Sequence, residues 1–463
     1  MKINKTTYRF LAMFLIVAGW AVSSCRKFIE IPPPANSIVT SQVFADSANA
    51  TAAITGIYIN MMNRAGSLNI ANSLTTVCTA LAADELNNTD NTVVFKDFQT
   101  NVITITNNYN LTCWSTAYAY IYQANACIEG AARSSTISTT LKNRITGEAM
   151  FIRAYLHFYL VNLFGPVPLV TSVDYKVNGS LPRASVDEVY KQIDSDLAAA
   201  TQLLQNDPVP INKLHVNRFA VAAFSARVAL YEKKWSQADA AATSVINAGY
   251  RLEPVLNNVF LAGNQEQIWQ MSPPNPGDET SEGQLILPKN PALVPAFTVT
   301  NNLKTIFEVA DQRAQQWLKT VTVAGNNYTH PFKYKLYIDG AATPKEGYSM
   351  LRLAEQFLIR AEARAQQNDL IGALADLNVI RRRAGLADAS AANQADALRL
   401  IMHERQAEFF CEWGHRWLDL KRTNTIDGVL GAAKTGWKPA AALFPIPYTQ
   451  LQNNPFLVQN PGY

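Results

Sequence analysis

The stretch RLAEQFLIRAEARAQQNDLIGALADLNVIRRRAG, residues 352–385, has the pattern of two helices that are separated by a polar break at Asn368 and end at Gly385. An earlier stretch, NRFAVAAFSARVALYEKKWSQADAAATSVINAG, residues 217–249, has the same scheme and ends at Gly249. Both stretches carry alanines at positions where two paired helices must approach closely. The sequence therefore predicts two helical hairpins of similar design.

Each hairpin is about 34 residues long, which is the length and pattern of a tetratricopeptide (TPR) repeat. Two repeats are fewer than a self-supporting helical array needs, because each repeat buries its apolar face only against its neighbours. We therefore expect other helices, within residues 112–164 and 187–232, to complete the array.

Three further segments have helical periodicity, namely Ser47 to Asn63, Trp114 to Ala132 and Gly147 to Phe164. The third is apolar nearly all round, which is typical of a helix buried in a core. Its most apolar part, residues 150–164, is too short for a comfortable membrane span and contains an arginine, a histidine and an asparagine. It should end at the Gly165-Pro166 pair, which cannot continue a helix.

The pattern changes at residues 253–348, which hold many prolines and glycines and only short apolar runs. We predict a mainly α fold, in which a TPR-like scaffold of helical pairs (about 38–252 and 349–430) carries this inserted loop-rich lobe with a few short strands. The final segment, 431–463, is predicted to be extended and to pack back on the body.

The N-terminus has the layout of a secretory leader: three basic residues, an uncharged apolar run from residue 10 to 22, and two serines directly before Cys25. Small residues that lead straight into a cysteine are typical of a bacterial lipoprotein, whose signal peptide (1–24) is removed and whose cysteine is lipidated. Residues 25–37 then form a proline-rich tether. Ordinary secretion and an uncleaved anchor are the alternatives.

The charge balance argues against a polyanionic partner. Removal of residues 1–24, which hold three basic and no acidic side chains, lowers the formal net charge from +4 to +1. A chain so close to neutrality lacks the basic surface that nucleic-acid binding requires.

Four cysteines remain after the leader, and they show neither a CxxC pair nor the spacing of metal ligands. Cys113 and Cys127 should share one helix, which would separate them by about 21 Å and prevent a disulfide. Together with Cys78 and Cys411, they are interpreted as buried free thiols.

The segment HERQAEFFCEWGHRWLDLKR, residues 403–422, begins like a zinc-protease motif. That motif requires a second histidine at position 407, where this chain has Ala407. The chain also lacks a G-x-S-x-G elbow, a phosphate-binding glycine loop and a dinucleotide fingerprint. We therefore predict no catalytic residues, no metal site and no cofactor.

Glu404 and Glu408 lie one turn apart in this predicted helix. With Arg405 and Arg416 nearby as expected partners, they indicate a structural network of ion pairs.

The segment ADELNNTDNTVVFKDFQT, residues 83–100, combines polar and aromatic side chains in one loop. Sugars are bound by aromatic faces and by amide or carboxylate groups that bridge neighbouring hydroxyls. The segment has carboxylate and amide side chains at Asp84, Asn87, Asn88, Asp90 and Asn91, and aromatic rings at Phe95 and Phe98. A calcium loop is a rival interpretation, although the glycine and final glutamate of an EF-hand are missing. A plain polar turn between helices is another.

Aromatic residues of the lobe could complete such a site or could form the core of the lobe itself. They are Trp317, Tyr328, Tyr334 and Tyr337.

Taken together, these motifs resemble the SusD/RagB-like outer-membrane lipoproteins of Bacteroidetes. The resemblance covers essentially the whole mature chain, in the order of the family. The matching stretches are CRKFIEIPPP (25–34), ADEL (83–86), GEAMFIRAYLHFYLVNLFGPVPLV (147–170), PRASVDEVYKQIDSDL (182–197), RLAEQFLIRAEA (352–363), the 403–422 segment and NPFLVQNPGY (454–463).

The resemblance implies eight helices in four TPR-like pairs that support an irregular lobe with the ligand site. It implies a surface-exposed lipoprotein of the outer membrane that is not an enzyme, captures an oligosaccharide and delivers it to a SusC-like TonB-dependent transporter. A scaffold that binds only the transporter, and a binder of peptide or another non-sugar nutrient, remain open.

The resemblance locates the ligand site only through the ADEL region, and the predicted binding residues combine that region with the lobe. They are Asp84, Asn87, Asn88, Asp90, Phe95, Trp317 and Tyr328. The loop contains no tryptophan, whereas starch-binding members use a tryptophan-rich arc, which argues against α-glucan.

We expect Cys25→Ala to move the protein from the membrane fraction to the soluble fraction, because the variant cannot be lipidated. Each methylene of an acyl chain adds roughly 0.8 kcal/mol to membrane binding. Cell fractionation and immunoblotting would measure the shift, and a variant that stays in the membrane fraction would contradict lipid anchoring at this residue.

Overall fold

The computed structural model describes residues 40–62, 68–90, 92–209, 212–275, 277–338, 340, 343 and 345–463. The predicted leader, Cys25 and the tether lie outside these residues. In the described part of the chain, no helix has the length and apolar character that crossing a membrane demands.

The fold is mainly helical. The α-helices, in chain order, are α1 Thr40–Val43, α2 Ser47–Met62, α3 Ser73–Ala82, α4 Val93–Thr100, α5 Asn108–Arg133, α6 Thr139–Phe164, α7 Tyr175–Asn178, α8 Val186–Leu203, α9 Arg218–Tyr231, α10 Trp235–Ile246, α11 Ser281–Ile286, α12 Asn301–Thr305, α13 Gln312–Gln316, α14 Leu353–Gln366, α15 Leu370–Arg383, α16 Gln394–Phe409, α17 His415–Arg422, α18 Ile426–Ala433 and α19 Tyr448–Asn453. Short 3-10 helices span Leu256–Asn258 and Pro439–Ala442.

The strands are short, and the described ones form four two-stranded antiparallel ladders: β1 with β5, β2 with β3, β4 with β8, and β6 with β7. They are β1 Leu86–Asn88, β2 Val167–Pro168, β3 Arg183–Ala184, β4 Gln267–Met271, β5 Phe297–Val299, β6 Leu318–Val323, β7 Asn326–Pro331 and β8 Tyr348–Arg352. The predicted lobe, 253–348, thus contains a few strands, as expected. The strand at its end, β8, pairs with β4 and runs directly into α14.

The long helices form one continuous stack, in which α5 packs on α6, α6 on α8, α8 on α9, and α9 on α10. The stack continues from α10 to α14, α15 and α16. The prediction that helices within 112–164 and 187–232 complete the array is confirmed.

Both predicted hairpins are present, as α9–α10 and α14–α15. Each break contains one residue in the left-handed region, Lys233 with φ 60° and Asn368 with φ 65°. Gly249 and Gly385 have φ values of 92° and 79° after the second helices, a conformation that favours glycine.

The alanines of the two hairpins pack against each other across α9, α10 and α14. That cluster comprises Ala226, Ala229, Leu230, Ala238, Ala242, Ile359 and Ala363. Small side chains at these positions allow the close helix approach that the sequence predicts.

The helix predicted from 147 to 164 is the buried centre of the scaffold. It begins earlier, at Thr139, where the Ser138 hydroxyl accepts a hydrogen bond from the Leu141 amide (3.3 Å) and caps the helix. Its one buried guanidinium, Arg153, pairs with Asp196 of α8 at 2.6 Å. The Asp196 carboxylate thus neutralises the positive charge that Arg153 brings into the core.

The lobe is joined to the scaffold by a buried cluster of charges around Glu408, near the end of α16. The Glu408 carboxylate contacts Arg313 of α13 (3.1 Å), Arg352 of β8 (2.5 Å) and Arg383 of α15. Burial alone would raise the pKa of Glu408, but the three guanidinium groups outweigh burial and hold that pKa well below its usual range. Glu408 is therefore ionised in the folded protein.

Further buried carboxylates extend this cluster. Glu404 contacts Arg313 at 2.7 Å, Glu412 contacts Arg352 at 2.9 Å, and Glu266, directly before β4, contacts Arg383 at 2.6 Å.

The predicted ion-pair network of the 403–422 segment therefore exists, but the expected partners were wrong. Arg405 pairs with Asp419 and Arg416 pairs with Asp84, each at 2.8 Å. Adjacent helix residues such as Glu404 and Arg405 project in different directions, so Glu404 turns toward guanidinium groups that are distant in sequence.

The C-terminal segment packs back on the body as predicted. The Asn110 side-chain amide donates to the Pro445 carbonyl (2.8 Å), and the Phe444 amide donates to the Leu163 carbonyl (2.8 Å). The prediction that this segment is extended was wrong in part, because Tyr448–Asn453 form a helical turn and a half after the two prolines.

The described cysteines match the prediction. Cys113 and Cys127 share α5, and all four cysteines of the described chain are free and buried.

We expect Glu408→Ala to lower the free energy of unfolding by roughly 3–5 kcal/mol, because the variant leaves buried guanidinium groups without their counter-charge. Urea denaturation would measure the loss. Asp388→Ala is the matched control, since it breaks an ion pair with Arg382 in which both side chains are more than half exposed (59% and 54%). Equal stability of the two variants would contradict a structural role for the cluster.

Candidate ligand-binding site

The predicted loop of residues 83–100 lies where the scaffold meets the lobe. Its strand β1 pairs with β5 of the lobe, with Asn87 opposite Thr298. Thr300 extends this junction: its amide donates to the Glu85 carbonyl (2.9 Å) and its hydroxyl to the Asp84 carbonyl (2.5 Å). The lobe is therefore fixed against the loop by backbone groups.

A cavity of about 440 Å³ opens at this junction. Its lining residues are Asp84, Leu86, Asn87, Gln99, Thr100, Thr300, Asn301, Asn302, Ala433, Lys434 and Thr435. They come from β1, α4, the start of α12 and the end of α18, so four separate parts of the sequence build one site.

Three side-chain amides around the cavity are free to bind a ligand. Asn87 is half-buried, whereas Asn301 and Asn302 are exposed. Within the described residues, none of these amides has a hydrogen-bonding partner. Each one offers a donor and an acceptor, which is the combination that adjacent hydroxyl groups require.

The carboxylate in the cavity wall is already engaged. Both oxygens of Asp84 accept hydrogen bonds from Arg416, from Nε at 2.8 Å and from Nη2 at 2.9 Å. This bidentate pair fixes the carboxylate and connects the loop to α17.

Lys434 closes another side of the cavity. Its Nζ donates to the carbonyls of Leu81, Ala82 (2.8 Å) and Gln99 (3.0 Å), which connects α18 to α3 and α4. Burial lowers the pKa of Lys434 to about 7. The ammonium group is used inside the wall rather than presented to a ligand.

Glu85, next to Asp84, points into the protein and is almost completely buried. Burial and the neighbouring Asp84 charge raise the pKa of Glu85 from its usual 4.5 to about 8. Its carboxyl accepts a hydrogen bond from the Cys411 amide at 3.3 Å. The group behind the cavity is thus protonated at neutral pH.

Only two of the predicted site residues, Asp84 and Asn87, line the cavity. Asn88 is buried, and its Nδ2 donates to the Thr92 carbonyl at 3.0 Å. Asp90 is exposed but accepts a hydrogen bond from the Thr92 amide at 2.8 Å. Asn91 lies outside the described residues.

Phe95 lies in the core rather than on the cavity surface. It is 4% exposed and packs edge-on against Phe297, with ring centroids 5.0 Å apart. It supports the cavity from behind, through the strand that bears Thr298.

The predicted residues of the lobe are not brought to this cavity. Trp317 is fully buried, and its Nε1 donates to the Leu256 carbonyl at 3.0 Å. Tyr334 is also buried, and Tyr328 is half-buried on β7. Trp317 and Tyr334 thus belong to the core of the lobe, the second of the two roles that the sequence left open.

Sequence reasoning missed Asn301, Asn302 and Lys434. Each is more than 200 positions from Asn87, and no local motif marks them. The Thr-Asn-Asn run after a short apolar stretch was the available signal, and it indicates only a helix start. The described residues also contain no group of three His, Cys, Asp or Glu side chains that could hold a metal ion.

Two family models match the chain. A model described as "starch-binding associating with outer membrane" matches residues 27–230, and the model of the SusD family matches residues 297–463. The chain belongs to the SusD family. The residues between the two matches, 231–296, include the first part of the lobe.

Relatives and solved structures agree with this assignment. SusD-like protein P2 from Formosa agariphila is 25% identical over 76% of this chain and 80% of its own length. A SusD superfamily protein from Parabacteroides distasonis has the same fold, with a TM-score of 0.79, 23% identity, and coverage of 90% of this chain and 99% of its own.

A further solved SusD-family structure is described as a laminarin-binding SusD-like protein. Its TM-score is 0.72 at 23% identity, over 90% of this chain and 99% of its own. The fold of this SusD-family chain, a TPR-like scaffold with a loop-rich lobe, is therefore confirmed.

We expect Glu85→Gln to make the protein more stable than wild type at alkaline pH. The folded protein holds the proton of Glu85 more tightly than the unfolded chain does, so that contribution to stability is present below the usual carboxyl pKa of 4.5 and is lost as pH rises through about 8. Glutamine is neutral at every pH. Each pKa unit corresponds to about 1.4 kcal/mol, so the variant should gain roughly 4 kcal/mol over wild type between about pH 5 and about pH 9.

Thermal unfolding of both proteins across this range would measure the difference. Curves that run parallel from acid to alkaline pH would contradict a protonated Glu85.

Proposed function

We propose that this SusD-family chain is a non-catalytic nutrient-binding lipoprotein of the outer membrane. It captures an oligosaccharide in the cavity around Asn87 and delivers it to a SusC-like TonB-dependent transporter. Lipidated Cys25 anchors the chain at the cell surface, and no cofactor takes part.

The observation that carries this proposal is the group of amides without partners around the cavity, namely Asn87, Asn301 and Asn302. Amide groups can bridge vicinal hydroxyls through one donor and one acceptor, and they need no counter-charge. A neutral, hydroxyl-rich ligand suits these side chains better than an anion does, because the one ammonium group in the described wall, Lys434, is already bound to three carbonyls.

The same geometry favours binding over hydrolysis. Glycoside hydrolysis needs two carboxyl groups that face each other across the scissile bond, roughly 5–10 Å apart. Among the described lining residues, Asp84 is the one carboxylate, and Arg416 occupies both of its oxygens. Glu85 is turned away into the core.

The position of the cavity suits transfer to a transporter. It lies at the junction of scaffold and lobe, with Asn301 and Asn302 exposed at its edge. A ligand held there by a few hydrogen bonds, each worth about 1 kcal/mol, is bound weakly enough to be released into a pore.

We expect Asn87→Ala and Asn302→Ala each to raise the Kd for the oligosaccharide about tenfold, since each loses hydrogen bonds to hydroxyl groups. Isothermal titration calorimetry would use the full chain in detergent against laminarihexaose, maltohexaose, cellohexaose and a mixed peptide library. Asn326→Ala, which removes an exposed amide from the β6–β7 turn, is the matched control and should bind as wild type does.

Three other outcomes would each favour a different function. Heat only with peptides would indicate a peptide binder. No heat with any ligand, together with stable copurification of the transporter, would indicate a scaffold. Release of reducing sugar, abolished by a single Asp or Glu substitution, would indicate an enzyme.

A further inference from the structure

A second cavity, of about 330 Å³, lies between α5, the segment around α7, and the C-terminal helix α19. We call it the α5 groove. It shares no lining residue with the cavity around Asn87. The side chains that matter for its chemistry are Tyr118, Tyr122, Tyr175, Asn178, Gln450 and Asn453.

Three tyrosines give the groove its aromatic surface. Tyr118 and Tyr122 are four residues apart on α5, so their rings stand one above the other on one face of the helix, about 6 Å apart along its axis. The Tyr118 hydroxyl donates to the Pro168 carbonyl at 2.8 Å, which fixes that ring. Tyr122 and Tyr175 are 51% and 75% exposed.

The exposure of Tyr122 and Tyr175 is unusual for this molecule, in which most aromatic rings are buried. Within the described chain, neither hydroxyl has a hydrogen-bonding partner. Two open rings with free hydroxyl groups offer flat faces for the C–H groups of a ligand, and donors and acceptors at their edges.

Amides form the opposite wall. Gln450 and Asn453 are three residues apart on α19 and so share a face, and their side chains find no partner among the described residues. Asn178 uses its Nδ2 to donate to the Ser172 carbonyl at 2.8 Å, which leaves its oxygen as a fixed acceptor.

The wall is held in place from behind. The Asn454 side-chain Nδ2 donates to the Leu181 carbonyl at 2.8 Å, and this bond joins the end of α19 to the segment that follows α7. The amides of Gln450 and Asn453 are therefore presented by an anchored element.

No charged side chain lines the α5 groove within the described residues. A phosphate, a sulfated or carboxylated ligand, or a charged peptide would find no counter-charge there. A purely apolar ligand would leave the amides without hydrogen bonds, which is costly once water is excluded. Tyrosine faces combined with free amides match a neutral ligand that has both C–H faces and hydroxyl groups.

We infer that the α5 groove is a second binding site for a neutral saccharide. The pyranose rings stack on Tyr122 and Tyr175, and their hydroxyls bind to Asn178, Gln450 and Asn453. This site is separate from the cavity around Asn87, and the inference does not rest on the function proposed for that cavity.

The groove has room for more than one sugar residue. Tyr122 also lines an adjacent cavity of about 340 Å³ along α5, whose charged side chains, Glu129 and Arg133, neutralise each other in an ion pair at 2.8 Å. A chain of sugars can therefore continue across the Tyr122 ring, so the ligand is an oligosaccharide rather than a monosaccharide.

The test uses the full chain in detergent, with binding to the first cavity weakened by Asn87→Ala and Asn302→Ala together. Laminarihexaose, maltohexaose and cellohexaose are the neutral probes, and hexagalacturonate is the charged one. Saturation-transfer NMR and calorimetry would measure binding. We expect at least one neutral hexasaccharide to bind this background variant, and hexagalacturonate not to compete with it.

Adding Tyr122→Ala or Tyr175→Ala to the background should weaken that binding at least about tenfold, because each change removes a stacking face. Tyr122→Phe retains the face and should bind nearly as the background does. Phe456→Ala is the matched control, since Phe456 is 58% exposed but does not line the groove. Unchanged thermal unfolding would show that the variants are folded.

The inference is overturned if no neutral hexasaccharide binds the background variant, if binding survives both tyrosine changes, or if hexagalacturonate competes. The result is different if the cavity around Asn87 does not bind the oligosaccharide. In that case Asn87→Ala and Asn302→Ala leave all binding intact, whereas the tyrosine variants lose it.

Discussion

The structure depends on a set of buried charges that hold two dissimilar parts of the chain together. Glu408 contacts guanidinium groups from the lobe, from the strand that leads into α14, and from α15. These charges fix the lobe on the scaffold together with the β1–β5 ladder and the hydrogen bonds of Thr300. Removal of any one partner would leave the others buried and uncompensated, so the cluster specifies a single arrangement of lobe and scaffold.

That arrangement has a direct consequence for the ligand site. With the lobe fixed, β5 pairs with β1, and the start of α12 lies beside the ADEL loop. Asn301 and Asn302 then share one cavity with Asn87. The scaffold therefore acts as a rigid support, and the polar side chains that we propose bind sugar come from both sides of the junction.

The aromatic residues are distributed differently from the polar ones. Phe95 and Trp317 are packed in the interior, and Phe95 supports the cavity around Asn87 from behind. Tyr122 and Tyr175, by contrast, are exposed in the α5 groove. The described lining of the cavity around Asn87 contains amides, a paired carboxylate and a bound ammonium, but no ring. The cavity around Asn87 thus offers hydrogen-bonding groups without a stacking face, whereas the α5 groove combines open tyrosine rings with free amides.

The sequence by itself determined the helical scaffold, because the period of its apolar residues, the alanines at helix contacts and the two glycine stops depend only on local spacing. It also determined the family and the position of the ADEL loop. It could not determine which carboxylates pair with Arg405 and Arg416, which aromatic rings are buried, or that Asn301 joins Asn87. Arg405 pairs with Asp419, 14 positions away on the next helix, whereas Arg416 pairs with Asp84 and Asn301 lies beside Asn87 across more than 200 positions. Only the folded chain brings these residues together. The sequence does not show whether a tyrosine or tryptophan side chain faces the core or the solvent, because only tertiary packing decides its burial.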